Sequence, residues 1–255
     1  MKFNSQAFKA MYFHEMDRFK RTLLQSLFSP VLSTSLYFIV FGSVIGGYVE
    51  NIDGISYGSY IVPGLLMLTL LTQSISNTSF GIFFPKFNGT MYEILAAPIS
   101  TFEIVLAFVG AGATKTLIVG VVIFITATFF VEVKVMYPLL MIFILVLVAF
   151  TFALFGFLIG LMSSNFEQMS IIPTLGLTPM VFLAGSLYSL DMLPEFWQTV
   201  TYFNPVVYLI NGLRFAFYGV SDFNVWVSII SMVGFLIACV TVVSLLLKKG
   251  YNIKN

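Results

Sequence analysis

Charged side chains are scarce in this sequence. Asp, Glu, Lys and Arg make up only 9% of its 255 residues, whereas soluble domains carry roughly 25%. Hydrophobic residues make up 59%, and phenylalanine alone occurs 29 times. So few charges cannot keep such a chain in water, and the composition predicts an integral membrane protein. The formal net charge of +1 also gives no electrostatic reason to expect a nucleic acid partner.

Cysteine and histidine are nearly absent as well. The single cysteine, Cys239, excludes an internal disulfide, and the single histidine, His14, excludes a pair of histidine ligands for zinc. The long apolar runs also contain no pair of aspartates. These absences argue against an intramembrane enzyme, so we expect this chain to have no catalytic residue and to bind no metal and no cofactor.

Long runs without charge dominate the chain. Five runs contain no Asp, Glu, Lys or Arg and can each hold the helix of about 20 residues that crosses a bilayer. A sixth run, between Ile104 and Val131, is interrupted only by Lys115. We therefore predict an all-α polytopic fold, with residues 1–255 forming one transmembrane domain. The six spans are expected within 22–247, near 27–47, 59–83, 103–130, 136–162, 169–189 and 225–247.

Basic residues collect on one side of this topology. Nine precede the first span, follow the last or lie between the second and third, whereas only Lys134 and Arg214 fall on the opposite side. Because loops rich in Lys and Arg stay cytoplasmic, both termini are predicted to be cytoplasmic, including a tail at 248–255. The nine are Lys2, Lys9, Arg18, Lys20, Arg21, Lys86, Lys248, Lys249 and Lys254.

Residues 1–21 are predicted to form a helix on the cytoplasmic interface. Apolar side chains such as Phe3 and Met11 are interleaved with basic ones such as Lys9 and Arg18, a pattern typical of helices that lie on lipid headgroups. A solvated tail is the alternative. The segment lacks a short apolar core followed by a cleavage site, so we do not expect a secretory signal.

A polar loop at 85–102 interrupts the apolar pattern. An Asn-Gly dipeptide predicts a turn, and Thr90 with Glu93 has the spacing of a capping box, in which each side chain satisfies a free amide at the start of a helix. Ser100 and Glu103 repeat that spacing where the third span begins. The loop is therefore expected to contain one short helix and to lead directly into a membrane helix.

The short helix is expected to be amphipathic. Met91, Ile94 and Leu95 recur at helical spacing and share one face. Pro98 disfavours helical backbone at the residue before it and ends the segment. From these features alone, the helix is either a simple connector between spans or a docking element.

Three stretches resemble the type-2 ABC-transporter permeases, the family that includes polysaccharide, Nod-factor and drug exporter permeases. FNGTMYEILAAPIS at 87–100 contains the Gly-Thr, Glu-x-Leu and Pro-x-Ser pattern of that family's cytoplasmic loop. YIVPGLLML at 60–68 opens the second span, and FNPVVYLINGLR at 203–214 precedes the last. The resemblance covers nearly the whole chain in the expected order.

The resemblance implies that this chain is the permease of an ABC exporter in a bacterial inner membrane. Two copies would form the substrate pathway in the bilayer, and the loop helix would dock on a separate ABC ATPase subunit that binds ATP and magnesium. Met91, Tyr92, Ile94 and Leu95 are expected at that interface. The implied coupling residues are Asn88, Gly89, Thr90, Met91, Tyr92, Glu93, Ile94 and Leu95.

The third span carries the one basic residue that interrupts a predicted span. GAGATKT at 110–116 lacks the glycine spacing of a phosphate-binding loop and lies in a membrane helix, so no nucleotide site is expected there. Lys115 lies about 18 Å along the helix from Glu103. It either faces a cavity or an anionic substrate group, or it reaches headgroups or the C-terminus of a neighbouring helix. Small residues at Gly112 and Gly120 predict close packing with another helix.

The segment at 190–219 contains two helix starts, at Pro194 and at Asn204-Pro205. Each helix is too short to span, and the family resemblance implies a re-entrant pair, so we expect these helices to cap the translocation route. Arg214 is a candidate pathway residue that would meet an acidic substrate. The alternative is an ion pair with a neighbouring carboxylate: Asp191, Glu195 or Asp222.

The fifth span is the most interrupted, because Pro173 and Pro179 fall within it. We expect it to bend and to act as a gating helix. The alternative function for the whole chain is a passive channel or lipid scramblase without an ATPase partner. The sequence does not identify the cargo, since its abundant Phe and Met suit amphipathic or lipid-linked molecules as well as lipid contact.

The topology can be tested with introduced cysteines after Cys239 has been replaced. We expect an impermeant thiol reagent to label cysteines at Ser56 and Asn224 in intact cells, because both positions lie outside. Cysteines at Asn88 and Asn252 should be labelled only after permeabilisation. Labelling of the Asn252 position in intact cells would rule out the even number of spans.

Overall fold

The computed structural model describes residues 3–49 and 51–248, and helices account for most of them. Two π-helical segments and a 3-10 turn interrupt or join the α-helices, at Phe38–Ile45, Ile172–Leu177 and Leu190–Met192. The α-helices are α1 (Ser5–Arg21), α2 (Leu23–Tyr37), α3 (Tyr57–Tyr60), α4 (Val62–Phe87), α5 (Met91–Ala96), α6 (Thr101–Thr128), α7 (Pro138–Met162), α8 (Phe166–Ile171), α9 (Thr178–Leu183), α10 (Glu195–Tyr202), α11 (Pro205–Tyr218) and α12 (Val225–Lys248).

Five helical stretches of the described chain are long and apolar enough to cross a membrane. They correspond to five of the six predicted spans, so the prediction of a helical, polytopic membrane protein is confirmed. The predicted tail at 248–255 lies outside the described residues apart from Lys248. The five stretches are Leu23–Ile45, Tyr57–Phe87, Thr101–Thr128, Pro138–Met162 and Val225–Leu247.

The predicted span at 169–189 has a different character. It is built from α8, the π-helical segment Ile172–Leu177 and α9 in direct succession. Pro173 and Pro179 each remove an amide donor from the hydrogen-bond ladder, which is the usual cause of such an irregular helix. The predicted interruption of this segment is confirmed, whereas its crossing of the membrane, and therefore the count of six, stays a prediction.

A small β-hairpin was missed by the all-α description. Strands β1 (Asn51–Ile52) and β2 (Ile55–Ser56) pair antiparallel. The two residues between them, Asp53 and Gly54, have φ angles of 52° and 77°, as a type I′ turn requires. The Asp-Gly dipeptide is a strong hairpin signal and could have predicted this element.

Small residues allow the central helices to approach closely. Helix α4 packs along both α6 and α7, and 72% of its most apolar window is buried. A β-carbon added at Gly112 of α6 would lie 2.0 Å from Oγ1 of Thr78, so the predicted close packing of α6 is confirmed. On α7, Gly156 and Gly160 lie against the backbone of α4. These two residues form a Gly-x-x-x-Gly motif, which is typical of closely packed membrane helices.

Gly156 gives a direct test of this packing. A β-carbon there would lie 2.6 Å from the backbone oxygen of Ile75, so Gly156→Ala should destabilise the fold by about 1–3 kcal/mol through overpacking. Gly234→Ala in α12 is the matched control, because nothing lies within 4 Å of its added carbon. Thermal unfolding of both variants is measured in detergent micelles. Equal midpoints for Gly156→Ala and Gly234→Ala would contradict the close approach of α7 to α4.

Candidate coupling loop and polar groove

The loop between α4 and α6 has the predicted turn and short helix. Helix α4 ends at Phe87, Gly89 adopts a φ of 79°, and α5 follows directly. A positive φ is readily adopted by glycine, which explains the use of this residue at the turn. Backbone at Ala97 is extended, as expected before Pro98.

The predicted capping box at Thr90 is wrong. The Thr90 side chain makes no capping hydrogen bond, and its hydroxyl lies 3.4 Å from the carbonyl oxygen of Pro85. An N-cap side chain reaches the first turn only when its own backbone is extended, and Thr90 is already helical, with φ −65° and ψ −13°. Glu93 is therefore an exposed side chain with no capping role.

The second capping box, at the start of α6, is confirmed. Ser100 has extended backbone, and its hydroxyl accepts a hydrogen bond from the amide of Glu103 at 3.3 Å. The Ser100 amide donates to Oε2 of Glu103 at 2.6 Å. The same carboxylate also accepts a hydrogen bond from the Asn4 amide just before α1. Glu103 therefore fixes the start of α6 and the start of α1 together.

Helix α5 presents one face to the protein and one to its surroundings. Met91 is only 6% exposed and packs in an apolar cluster with α6, and Ile94 and Leu95 lie against the same cluster. The expectation that Met91 faces a partner does not hold in this chain, because its side chain is an internal anchor. Tyr92 is 57% exposed. From Phe87 to Glu93 the exposed residues are Phe87, Asn88, Thr90, Tyr92 and Glu93.

Helix α1 lies against α6 over much of its length. Tyr12 donates a hydrogen bond to Thr114 at 2.9 Å, and Phe19 is buried near the end of α1. Helices α1 and α5 also line one cavity of about 400 Å³, whose lining includes Met11 and Ile94. The predicted helix at the N-terminus is thus present, and it packs against α6. Its placement on the lipid interface stays a prediction.

Lys115 forms a buried ion pair that was not predicted from the sequence. Its Nζ lies 2.8 Å from Oε2 of Glu15, and the two side chains are 3% and 5% exposed. Arg18 lies 2.9 Å from the same oxygen. The alternative that Lys115 reaches lipid headgroups is wrong, because the side chain points into the protein. The partner lies 100 residues away in the chain, so no local pattern indicated it.

Lys115 also lines the larger of two adjoining cavities between α2 and α4, which agrees with the alternative that it faces a cavity. This Lys115 cavity has a volume of about 620 Å³. The second, which we call the Thr178 cavity, measures about 280 Å³ and shares Ser29, Pro30 and Gln73 with the first. We refer to the two together as the polar groove. Its polar lining comprises Thr22, Gln25, Ser26, Ser29, Ser33, Thr34, Thr69, Thr72, Gln73, Ser76, Asn77 and Thr178.

Polar side chains of the groove lie deep within predicted spans. Ser29 and Ser33 of α2 are exposed, and Gln73 and Asn77 of α4 are half-buried. Ser33 lies about 15 Å from the start of its span at Leu23, which is near mid-membrane. Hydroxyl and amide groups are costly to expose to lipid tails. This face of the molecule is therefore suited to a water-filled path or to another protein surface.

Arg214 of α11 is the second buried cation, at 2% exposed. Its guanidinium donates to Asp222 at 3.1 Å and to the carbonyl oxygen of Gly185 at 2.6 Å, and lies 4.0 Å from the centre of the Tyr60 ring. Burial raises the pKa of Asp222, and the adjacent guanidinium opposes that shift. Pairing with a neighbouring carboxylate is confirmed. A role for Arg214 in the pathway stays a prediction.

The two helix starts predicted in the segment at 190–219 are also confirmed. Helix α10 begins directly after Pro194. The Asn204 side chain accepts a hydrogen bond from the Val206 amide at 3.0 Å, with Pro205 as the first residue of α11. Ten residues of α11 are buried among other helices, so this short helix is covered by protein. Its re-entrant position in the membrane stays a prediction.

Comparison with known proteins identifies the family. A family model described as ABC-2 type transporter matches residues 6–218. The chain belongs to this family. It is 36% identical over 249 residues to the inner membrane transport permease YadH of Escherichia coli K12, covering 98% of this chain and 97% of that protein. It is 24% identical over 197 residues to nodulation protein J of Rhizobium leguminosarum bv. viciae, covering 76% of each chain.

Nodulation protein J of Rhizobium meliloti 1021 is 26% identical over 199 residues, which cover 76% of this chain and 75% of that protein. The resemblance predicted from three sequence stretches is thus confirmed. ABC-2 proteins are the membrane components of transporters, so this chain is a membrane transport protein of the permease type.

The two capping patterns provide a matched pair of variants. Glu103→Ala removes the carboxylate that bonds the amides of Ser100 and Asn4, and loss of such a cap should lower the thermal midpoint by about 2–4 °C for a protein of this size. Glu93→Ala removes a carboxylate without a capping role and should leave the midpoint unchanged. Thermal unfolding in micelles compares the two variants. An equal drop in thermal midpoint for both would contradict the assignment of a capping role to Glu103 and none to Glu93.

Proposed function

We propose that this chain is the permease subunit of an ATP-driven ABC exporter, in which two copies form the substrate pathway and separate ATPase subunits supply the energy. Membership of the ABC-2 family supports a transport role. The observation that carries the coupling mechanism is the placement of α5, a short helix held between α4 and α6 with one side exposed.

The attachment of α5 supports a mechanical role. Met91 fastens it to the apolar cluster of α6, and the Ser100–Glu103 capping box joins the loop directly to the first turn of α6. A force on α5 is therefore transmitted to two long helices rather than absorbed by a flexible loop. The exposed residues Asn88, Tyr92 and Glu93 provide the surface on which an ATPase subunit docks.

The energy source is assigned to the partner chain. The glycine-rich stretch at 110–116 lies inside α6, so its backbone amides are engaged in the helix and do not cradle phosphate. ATP and magnesium are accordingly expected on the ATPase subunit. Transport by this chain alone would instead point to the alternative, a passive channel or lipid scramblase.

The open side of the polar groove supports a dimer. Only 17% of the most apolar window of Leu23–Ile45 is buried, and the exposed polar side chains of α2 lie on this uncovered span. A second copy placed here covers the groove and encloses a path that excludes lipid tails. This proposed assembly has six spans per copy, with both termini in the cytoplasm. The name of the relative YadH supports placement in a bacterial inner membrane.

Crosslinking tests the coupling surface. In a variant with Cys239 replaced, a cysteine at Tyr92 should crosslink to a co-expressed ABC ATPase through a short thiol-reactive reagent, because Tyr92 is exposed on α5. A cysteine at Asn224, before α12, is the matched control and should not crosslink. Crosslinking at Asn224 with none at Tyr92 would contradict docking on α5.

The double variant Tyr92→Ala/Glu93→Ala tests whether docking matters for transport. Both side chains are exposed, so membrane insertion and thermal stability should change little. ATPase activity stimulated by the permease should fall by at least tenfold, since contact residues at such docking surfaces can each cost more than 1 kcal/mol. Unchanged stimulation in the reconstituted complex would count against α5 as the coupling element.

A further inference from the structure

The Lys115 cavity carries a surplus of positive charge. Lys115 and Arg18 both line it, and both bind the same oxygen, Oε2 of Glu15. Two cations thus face one carboxylate, which leaves a formal charge of +1 in the cluster. The residues that line this cavity all belong to the described chain, and none of them is acidic.

We propose that this cavity binds the anionic headgroup, a phosphate or a carboxylate, of an amphiphilic cargo. The inference rests on the proposed transport function and names the chemical class of what the polar groove carries. Arg18 is the accessible cation, with 37% of its side chain exposed against 3% for Lys115. An entering anion therefore meets Arg18 first, with Lys115 behind it.

The remaining wall of the cavity fits a headgroup that carries an apolar tail. Gln73 and Asn77 are half-buried and carry amide donors for anionic oxygens. Phe80 and Phe84 line the same cavity and are each 43% exposed. Their rings contribute nothing to binding a free inorganic ion but suit an alkyl chain.

Glu15 is the internal competitor of the cargo. Its carboxylate binds both cations in this structure. A bound anion must therefore compete with Glu15 for contacts with Arg18 and Lys115. Removing a cation and removing the carboxylate should therefore change anion affinity in opposite directions. A purely structural ion cluster predicts no such opposition, since loss of either partner of a buried pair destabilises the fold.

The test uses the purified full chain in maltoside micelles, without an ATPase, so that its failure is distinct from a failure of the proposed coupling. Dodecyl phosphate is titrated by isothermal calorimetry, with dodecyl phosphocholine and inorganic phosphate as comparisons. The wild-type chain should bind dodecyl phosphate at least tenfold more tightly than either, because the choline cation of dodecyl phosphocholine cancels its net negative charge and inorganic phosphate lacks the alkyl tail.

The variants give the decisive comparison. Lys115→Met should weaken dodecyl phosphate binding about tenfold, and Glu15→Gln should strengthen it several-fold. Lys20→Met is the matched control, since Lys20 is exposed and paired with Asp17 outside the cavity, and its affinity should match the wild type. Equal weakening by Lys115→Met and Glu15→Gln would overturn the proposal. Equal affinities for inorganic phosphate and dodecyl phosphate would overturn the assignment of the ligand as an amphiphile.

Two further measurements keep the proposal testable if Lys115→Met does not fold. Arg18→Met replaces a partly exposed cation and leaves the buried pair of Glu15 and Lys115 intact, so this variant should fold. It should bind dodecyl phosphate several-fold more weakly, and unchanged affinity would overturn the site.

Native mass spectrometry after delipidation separates cargo from lipid. A phospholipid retained by the wild type and lost in Arg18→Met would show a resident lipid in the cavity and overturn the assignment to cargo.

Discussion

The carboxylate of Glu15 is the interaction on which this end of the molecule depends. It binds two cations, one from its own helix and one from α6, and Lys115 of α6 lies where an unpaired charge would be costly. Because Glu15 belongs to α1, satisfying Lys115 requires α1 to lie along α6. Helices α1 and α5 also line one cavity. One buried charge therefore fixes how the N-terminal helix packs on a central membrane helix.

Glycine contacts make the central helices a rigid body. Gly112 brings α6 onto α4, and Gly156 and Gly160 bring α7 onto α4 beside it. Helices packed backbone to backbone cannot slide past one another without clashes, so in the proposed coupling mechanism we expect a force applied at α5 to move them as a unit. The irregular segment Ile172–Leu177, with its prolines, is where the fold can yield instead. The segment predicted to bend lies beside the groove, since Thr178 lines the groove.

Local features were predictable from sequence, and long-range ones were not. The capping box of Ser100 and Glu103 and the start of α11 at Asn204 depend on residues within a few positions, and both were found. The capping box predicted at Thr90 was wrong although its spacing was the same, because the chain after the turn at Gly89 already has helical backbone at Thr90. The partner of Lys115 lies 100 residues away. Apolar periodicity shows which residues are buried, but it does not show which buried charges will meet.

The two buried cations among the described residues, Lys115 and Arg214, illustrate how a proposed pathway charge differs from a structural one. Arg214 has a carboxylate, a carbonyl oxygen and an aromatic ring around it, all from its own chain and none shared with another cation. Lys115 shares its single carboxylate with Arg18 and borders a polar cavity. Arg214 has its charge balanced by Asp222 alone and gains little from a further anion, whereas a cation that shares its carboxylate with a second cation still attracts one. This difference, rather than burial, points to the α6 end of the groove as the place where the chain recognises charge.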